Sequence, residues 1–252
     1  MVYNQGWHAH YSDTSYRSAQ KYIAYLKEIY QPSSFVEFGA GFGNWTKAAV
    51  DFGIQDVLAL DGEWTDLTKI VVDRDRFRIQ DLSQPVDIGR RFDMALSVEV
   101  AEHIPQSSAR TFINSLIKHS DLVVFGAAIP LQGGFRHINE QWPRYWASLF
   151  SENNYRIFDI LRPVFWNDND ISYFYRQNTF VFVNEARPDL IRLSIKQRQI
   201  VSDEYMMLDV VHPDKFTEAA SYKNISLRRL LPLLPQHAIN VIKRKLKFSN
   251  AG

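Results

Sequence analysis

Apolar residues recur along this chain with two different periods, one typical of helices and one typical of strands. The first period appears in residues 14–30, where the apolar positions are Tyr22, Ile23, Leu26, Ile29 and Tyr30. This spacing predicts an amphipathic helix, and Pro32 ends it because proline cannot continue a helix. Helices are also predicted after the first apolar run, closing at Gly53, over residues 111–120, and from about Pro143 to 154.

Short apolar runs bounded by glycine, proline or acidic residues predict strands. These runs cover residues 33–38, 56–61, 77–82, 92–98, 121–130, 155–166 and 178–186. Strands that alternate with helices predict right-handed crossovers and a mainly parallel sheet. The last two runs leave no room for a helix between them, so the final strand is predicted to be antiparallel. The expected fold class is α/β, a Rossmann-like doubly wound sheet of seven strands.

Composition narrows the function classes without naming one. The chain has 252 residues and a net charge of +1, which gives no general attraction to nucleic acid, and no nucleic-acid partner is expected. It contains no cysteine, which excludes disulfides, cysteine-ligated zinc and a cysteine nucleophile. No secretory signal and no apolar run of about 18 residues is present, so a cytoplasmic location is expected.

A glycine-rich loop follows the first predicted strand, with the pattern E-x-G-x-G-x-G from Glu37 to Gly43. Glycines between a strand and a helix allow a tight turn and a close backbone approach to a ligand. A dinucleotide site uses G-x-G-x-x-G, but Asn44 stands where its last glycine is expected. Acidic residues then end the next two predicted strands, at Asp61 and Asp81. A carboxylate at the edge of such a sheet can accept hydrogen bonds from ribose hydroxyls.

These motifs resemble those of the class I S-adenosylmethionine (SAM) dependent methyltransferases, and the resemblance covers about residues 30–185. Residues 92–104, FDMALSVEVAEHI, are similar to a signature of small-molecule methyltransferases. Enzymes of the family that methylate exocyclic base amines carry N/D-P-P-Y/F where this chain has Ser97 to Val100. The resemblance implies SAM as cofactor, with S-adenosylhomocysteine (SAH) as product. It implies a cofactor site formed by Glu37, Gly39, Ala40, Gly41, Asn44, Asp61, Gly62, Asp81, Leu82, Ser97 and Val98.

A second loop, residues 131–143, follows the fifth strand and resembles the G-G-x-x-H-x-N-E/C-Q loop of bacterial enzymes from glycan and secondary-metabolite pathways. His137 is the predicted general base, because a neutral imidazole can take the proton of a hydroxyl as it attacks. His103 is the competing histidine. The predicted substrate-binding residues are His103, Asn139, Glu140, Trp142 and Tyr145. His137, Glu140, Asp168 and Asp170 could supply metal ligands, but their spacing does not demand it and no metal is predicted.

The resemblance leads to one main functional hypothesis, O-methylation of a sugar or glycan precursor hydroxyl in polysaccharide biosynthesis. Two alternatives stay open: a nicotinamide-dependent oxidoreductase and a SAM-binding protein without catalysis. Residues 1–186 are predicted to form the catalytic domain, and residues 187–252 a C-terminal extension. After Glu218 the extension is basic and acid-free. Its end is either a solvated tail or an amphipathic segment able to contact an anionic membrane surface. The sequence leaves an oligomer open.

Overall fold

A mixed β-sheet forms the centre of the fold. The computed structural model describes residues 5–195, 199–200 and 207–220, with a few isolated positions between 235 and 241. Only the backbone is described for residues 5–13, 195, 199–200 and 220. Within this part the sheet has eight strands. They are β1 (Ser34–Phe38), β2 (Asp56–Asp61), β3 (Phe77–Ile79), β4 (Met94–Val98), β5 (Leu122–Gly126), β6 (Tyr155–Phe158), β7 (Phe180–Asn184) and β8 (Gln199–Ile200).

Helices connect most of these strands. They are α1 (Gln5–Tyr30), α2 (Asn44–Asp51), α3 (Ala109–His119), α4 (Pro143–Ser151), α5 (Arg162–Phe165), α6 (Tyr173–Asn178), α7 (Pro188–Ile195) and α8 (Pro213–Ala220). The predicted N-terminal helix is present but starts at Gln5, nine residues before the predicted start at 14 (14 − 5). Pro143 occupies the first turn of α4, where its missing N–H costs no hydrogen bond.

The strand order is β3-β2-β1-β4-β5-β7-β6-β8. Strands β1 to β5 run parallel to one another, whereas β7 pairs antiparallel with β5 and with β6. The predicted doubly wound, mostly parallel sheet is therefore confirmed, with the short β8 added at its edge. The order reverses between β1 and β4. Ligands of such sheets bind at this reversal, outside the carboxyl ends of the strands.

The connection between the last two predicted strands differs from the expectation. The antiparallel direction is confirmed, but the reason given for it was wrong, because α5 and α6 both lie between β6 and β7. The strand predicted over residues 155–166 ends at Phe158. Pro163 then falls in the first turn of α5, where its ring is tolerated, and it could not donate to a sheet ladder.

Two hydrophobic cores cover the two faces of the sheet. Alternate strand residues point to opposite faces, so Phe35 and Met94 join one core while Val36 and Ala95 join the other. Helices α1, α2 and α7 pack on the first face, and α3 and α4 on the second. The resulting three layers leave the carboxyl edge of β1 to β4 free to carry a site.

The chain divides into two compact units, residues 1–210 and 211–252. In the first unit, α7 contributes Leu190 and Ile191 to the core, and Ser194 hydrogen-bonds Tyr30 of α1 at 2.7 Å between the hydroxyl oxygens. The domain boundary after residue 186 stays a prediction. The lysine and arginine residues that follow Glu218 lie outside the described residues. No helix in the described part of the chain has the length and apolar character of a membrane span.

Candidate active site

The glycine loop after β1 has the backbone conformation that its sequence predicts. Gly39 and Gly41 have φ angles of 87° and 55°, in the left-handed region that favours glycine. A Cβ atom at Gly39 would lie 2.2 Å from a methyl group of Val100, so no side chain fits there. A Cβ atom at Gly41 would meet no atom within 4 Å. The loop is therefore closed by packing on one side and open to a ligand on the other.

Glu37, at the carboxyl end of β1, connects this loop to α2. Its Oε2 accepts hydrogen bonds from the backbone N–H of Thr46 at 2.8 Å and from the Thr46 hydroxyl at 2.6 Å. Gly43, which precedes α2, has no side chain to cap the helix, so Glu37 satisfies one of its free N–H groups. Burial raises the pKa of Glu37 to about 8, although both Thr46 bonds favour the charged form.

Asp61 is the last residue of β2 and faces the glycine loop. Its carboxylate accepts hydrogen bonds from the backbone N–H groups of Gly41 and Gly62. The residue is 5% exposed, and this burial raises the pKa of its carboxyl group while the two N–H donors lower it. The side chains of Thr65 and Trp64 also favour the charged form of this carboxyl group. The predicted strand-end acid is therefore buried, held by the glycine loop, and part of the lining of a cavity.

A cavity of about 990 Å³ lies against these residues. All the predicted cofactor residues line it except Ser97, which is buried within β4. Asp81 and Leu82 lie two and three residues past the end of β3, which is shorter than predicted, and both line the cavity. Asp81 accepts hydrogen bonds from the backbone N–H and the hydroxyl of Ser83. The cavity volume is sufficient for a nucleoside-sized ligand.

The loop between β5 and α4 is organised around Glu140. One carboxylate oxygen accepts the backbone N–H of Leu131 at 2.7 Å, and the other accepts the N–H of Gly133 at 2.7 Å. The second oxygen is also 2.9 Å from Nδ1 of His137. Since a carboxylate can only accept, His137 donates through Nδ1, and in the neutral ring Nε2 carries the lone pair. Glu140, predicted to bind substrate, thus holds the loop and orients His137.

His137 lies beside two residues from the turn after β4. Its ring meets the His103 ring edge to face, with 4.8 Å between centroids, and its Nε2 is 3.9 Å from Oε1 of Glu102. The Nδ1–H of His103 donates to the carbonyl oxygen of Arg136 at 3.3 Å. His103 lines the cavity, whereas His137 is not among its described lining residues. Burial and the neighbouring His137 lower the pKa of His103.

Glu102 is fully buried, and neither of its carboxylate oxygens has a hydrogen-bond partner among the described residues. The backbone amides of Ala128 and of Glu102 itself favour its charged form without meeting hydrogen-bond geometry. Burial, followed by the repulsion of Glu99, holds the pKa of Glu102 well above its usual range. Burial likewise raises the pKa of Glu99, whose oxygens accept the side-chain amides of Asn178 and Gln132.

The other predicted substrate residues lie outside the described cavity lining. Asn139 is buried and donates its side-chain amide to the carbonyl oxygen of Ala101. Trp142 precedes α4, and Tyr145 packs edge to face on Trp146 with 4.9 Å between centroids. The four residues considered as metal ligands do not form one group. Asp168 and Asp170 instead make ion pairs with Lys21 of α1, at 2.7 and 2.8 Å.

Comparison with known proteins adds to this geometry at the level of the fold. No protein-family model and no curated protein matches the sequence. The solved structure of the small RNA methyltransferase HEN1 is similar, with a TM-score of 0.51 and 15% identity over 68% of this chain and 26% of that chain. The chain has a methyltransferase fold.

Two further solved methyltransferases are similar at lower scores. The methyltransferase domain of bacterial CtHen1-C has a TM-score of 0.49 and 16% identity, over 68% of this chain and 98% of that chain. The magnesium protoporphyrin IX methyltransferase ChlM from Synechocystis PCC 6803, with bound SAH, has a TM-score of 0.46 and 16% identity, over 68% and 84%.

The methyltransferase fold also brings residues to the cavity that the sequence did not single out. Ser15 of α1 and Tyr175 of α6 line it, with their hydroxyl oxygens 3.3 Å apart. Phe135 and Ile138 line it from the β5–α4 loop and are 55% and 63% exposed. The sequence does carry a signal for Phe135 and Ile138, because they are apolar residues in a loop that begins with glycines. The first pair depends on packing between distant segments, which no local pattern reveals.

Proposed function

We propose that the protein is a SAM-dependent methyltransferase that methylates a hydroxyl group of a sugar or glycan precursor. The observation that carries the proposal is the placement of Asp61. Its buried carboxylate ends β2, holds the N–H of Gly41, and faces a cavity lined by the glycine loop. In an open α/β sheet, this is where an acid can accept hydrogen bonds from both ribose hydroxyls of a nucleoside.

The chemistry of SAM fits the remaining residues of the cavity. Bound SAM would supply a methyl group on a positively charged sulfur. The acceptor oxygen would bond to the methyl carbon in line with the breaking carbon–sulfur bond, and the sulfur would leave as the neutral thioether of SAH. It carries no pyrophosphate, so the loop needs an open backbone at Gly41 and no nest of N–H groups for an anion. Asp81 can accept the adenine amino group, and Leu82 can pack on the ring. Much of the catalysis then comes from alignment and exclusion of water.

The acceptor hydroxyl is proposed to lie near His103, which lines the cavity, and near His137, whose ring packs on that of His103. His137 stays the proposed base, since its Glu140 bond leaves Nε2 able to accept a proton. Phe135 and Ile138 give this side an exposed apolar rim. Apolar and aromatic faces suit the flat faces of sugar rings.

Binding of SAH to the full-length protein tests the cofactor half of the proposal. By calorimetry, Asp61→Ala should weaken SAH binding by about 1.5–3 kcal/mol, the range for hydrogen bonds to a charged group. Asp66→Ala is the matched control, because Asp66 follows the same strand but pairs with Lys69 on the surface. SAH affinity that is unchanged in Asp61→Ala would contradict the assignment.

Two further measurements on the full-length protein distinguish the two alternative functions. A nicotinamide-dependent oxidoreductase would bind NAD in place of SAH in a tryptophan fluorescence titration. A protein that binds SAM without catalysis would bind SAH but transfer no methyl group. Mass spectrometry of candidate glycan precursors, incubated with the protein and SAM, should show the added methyl group. A panel that includes small RNA, the acceptor named for HEN1, separates the sugar from the nucleic-acid class.

A further inference from the structure

We propose that Glu102, His103 and His137 form a binding site for a divalent metal ion. One carboxylate oxygen of Glu102 and one nitrogen of each imidazole all lie within 4.8 Å of one another. Imidazole nitrogens and carboxylate oxygens are ligands for Mn²⁺, Fe²⁺, Co²⁺ and Zn²⁺. This inference rests on the geometry of the cluster and is an alternative to the general-base role of His137, because the one lone pair on its Nε2 can bind either an ion or a proton.

The first supporting observation is the state of Glu102. Its carboxyl group is fully buried, yet neither oxygen has a hydrogen-bond partner among the described residues. A buried polar group without a partner is costly, and buried carboxylates are normally paired or bound to a metal. One of these oxygens points toward Nε2 of His137, at 3.9 Å. A cation between them would satisfy both atoms.

The second observation is the direction of the hydrogen bonds around the two histidines. Each donates through Nδ1, His137 to Glu140 and His103 to the carbonyl oxygen of Arg136. Each Nε2 therefore carries a lone pair. A carboxylate or carbonyl bound to the far nitrogen is the usual support of a metal-binding histidine, because it fixes the tautomer and the ring orientation.

The third observation is the strained backbone on both sides of the cluster. Glu99 and Arg136, in the two segments that carry it, have φ angles of 56° and 59°, which are unfavourable for residues with a Cβ. The backbone N–H groups of Ile138 and Asn139 bond the carbonyl oxygen of Glu102 at 2.9 and 3.0 Å, joining the segments. Such strain persists where surrounding contacts enforce it, and it concentrates at functional sites.

The separations of the three atoms suit an ion after a small adjustment. Ligands about 2.1 Å from one ion lie about 3–4 Å from each other. The 3.9 Å between His137 and Glu102 already matches this, and only the wider separations within the cluster need to close by less than 1 Å. Because His103 lines the cavity, the ion would border the space assigned to the acceptor.

Metal titration of the full-length protein tests the site without any turnover. After chelator treatment, MnCl₂ is added and free Mn²⁺ is followed by its electron paramagnetic resonance signal, with Zn²⁺ measured against a chromophoric chelator. One ion should bind per chain in the absence of SAM. Glu102→Gln, of the same shape, should raise the Kd for the ion by at least about 10-fold. Asp168→Asn is the matched control and should bind like the native chain.

Thermal unfolding separates a lost ligand from a damaged fold. Without metal, Glu102→Gln should unfold at the same or a higher temperature than the native chain, because its amide can donate to the lone pair of His137. On adding MnCl₂ or ZnCl₂, the unfolding temperature should rise in the native chain and hardly in the variant. The proposal is overturned if neither ion binds the native chain, or if Glu102→Gln binds as tightly. Failure of SAH binding alone would leave this result intact.

Discussion

Gly41 and Gly89 are two glycines with the same backbone requirement in different surroundings. Both have a positive φ angle, 55° and 78°, and a Cβ atom at either would meet nothing within 4 Å. Only Gly41 lines the cavity. Substituting each glycine therefore distinguishes the cost of a strained backbone conformation from the cost of filling the cavity.

Gly41→Val should abolish SAH binding while the protein stays folded, because the added methyl groups extend into the space proposed for the methionine part of SAM. The left-handed conformation should lower the free energy of unfolding by about 1–2 kcal/mol. Gly89→Val should show a similar loss of stability and normal SAH affinity. Calorimetry and urea unfolding of both variants provide the measurement. Normal SAH binding in Gly41→Val would mean that the loop is only a turn.

The two histidines beside the cavity make a second matched pair. His137→Ala should lower turnover by about 10²–10⁴-fold, as expected for a lost proton acceptor, and leave SAH affinity nearly unchanged. His103→Ala shows whether the loss is specific to His137. If only His103→Ala has the selective defect, the base is the histidine that lines the cavity, and the assignment from the sequence is wrong. Loss of SAH binding in His137→Ala would instead make His137 a support of the cofactor site.

At the scale of elements, Glu37 shows how a strand residue can decide the start of a helix. The sequence indicated Glu37 as a cofactor residue, and it does line the cavity. Its bonds to Thr46 at the start of α2 were not foreseen, because the capping group comes from the preceding strand. A sequence pattern reveals a capping residue only when that residue directly precedes the helix. Gly43 holds this position before α2 and has no side chain to cap it.

Glu37→Gln should change how stability depends on pH. The folded pKa of Glu37 is about 8 against an ordinary value of 4.5, so the folded state binds the proton more tightly than the unfolded state. The stability from this proton is complete below pH 4.5 and is lost as the pH rises through 8. Between these limits the native chain should lose stability relative to Glu37→Gln by on the order of a few kcal/mol.

Urea unfolding at about pH 5 and pH 8, without SAM, measures this difference. Glu152→Gln is the control, because the ion pair with Arg110 lowers the pKa of Glu152. Its contribution is then constant across that interval. A difference between the native chain and Glu37→Gln that does not change with pH would show that Glu37 is not protonated in the folded state.

The elements that the sequence predicted well are those with strong local signals. The strands from β1 to β5 and the start of α4 at Pro143 follow apolar runs and punctuating residues. The segment after β6 was predicted poorly. Residues 159–166 are apolar enough for a strand, but Arg162 forms a buried ion pair with Asp159 and begins α5. Only the folded core makes that pair visible.

At the scale of the whole molecule, the sheet order explains why the sequence could group the residues that line the cavity near the glycine loop but not the contacts of the β5–α4 loop. Residues that end β1, β2 and β4 meet at one edge in any doubly wound sheet, so their positions along the chain are sufficient. The contacts of the β5–α4 loop depend on how this long loop folds over that edge. His137 was predicted as the base and Glu140 as a substrate-binding residue. In the fold they bond each other, and Glu140 also bonds the loop backbone.

The absence of any space between Gly39 and Val100 has a consequence for how two ligands would affect each other. Val100 belongs to the turn that carries Glu102 and His103, and its methyl groups fill the position where Gly39 lacks a side chain. If a ligand bound beside Glu102 and His103 moves this turn, Val100 must press on the glycine loop, where SAM is proposed to bind. Two such sites are thermodynamically linked, and each ligand changes the affinity for its neighbour by the same factor.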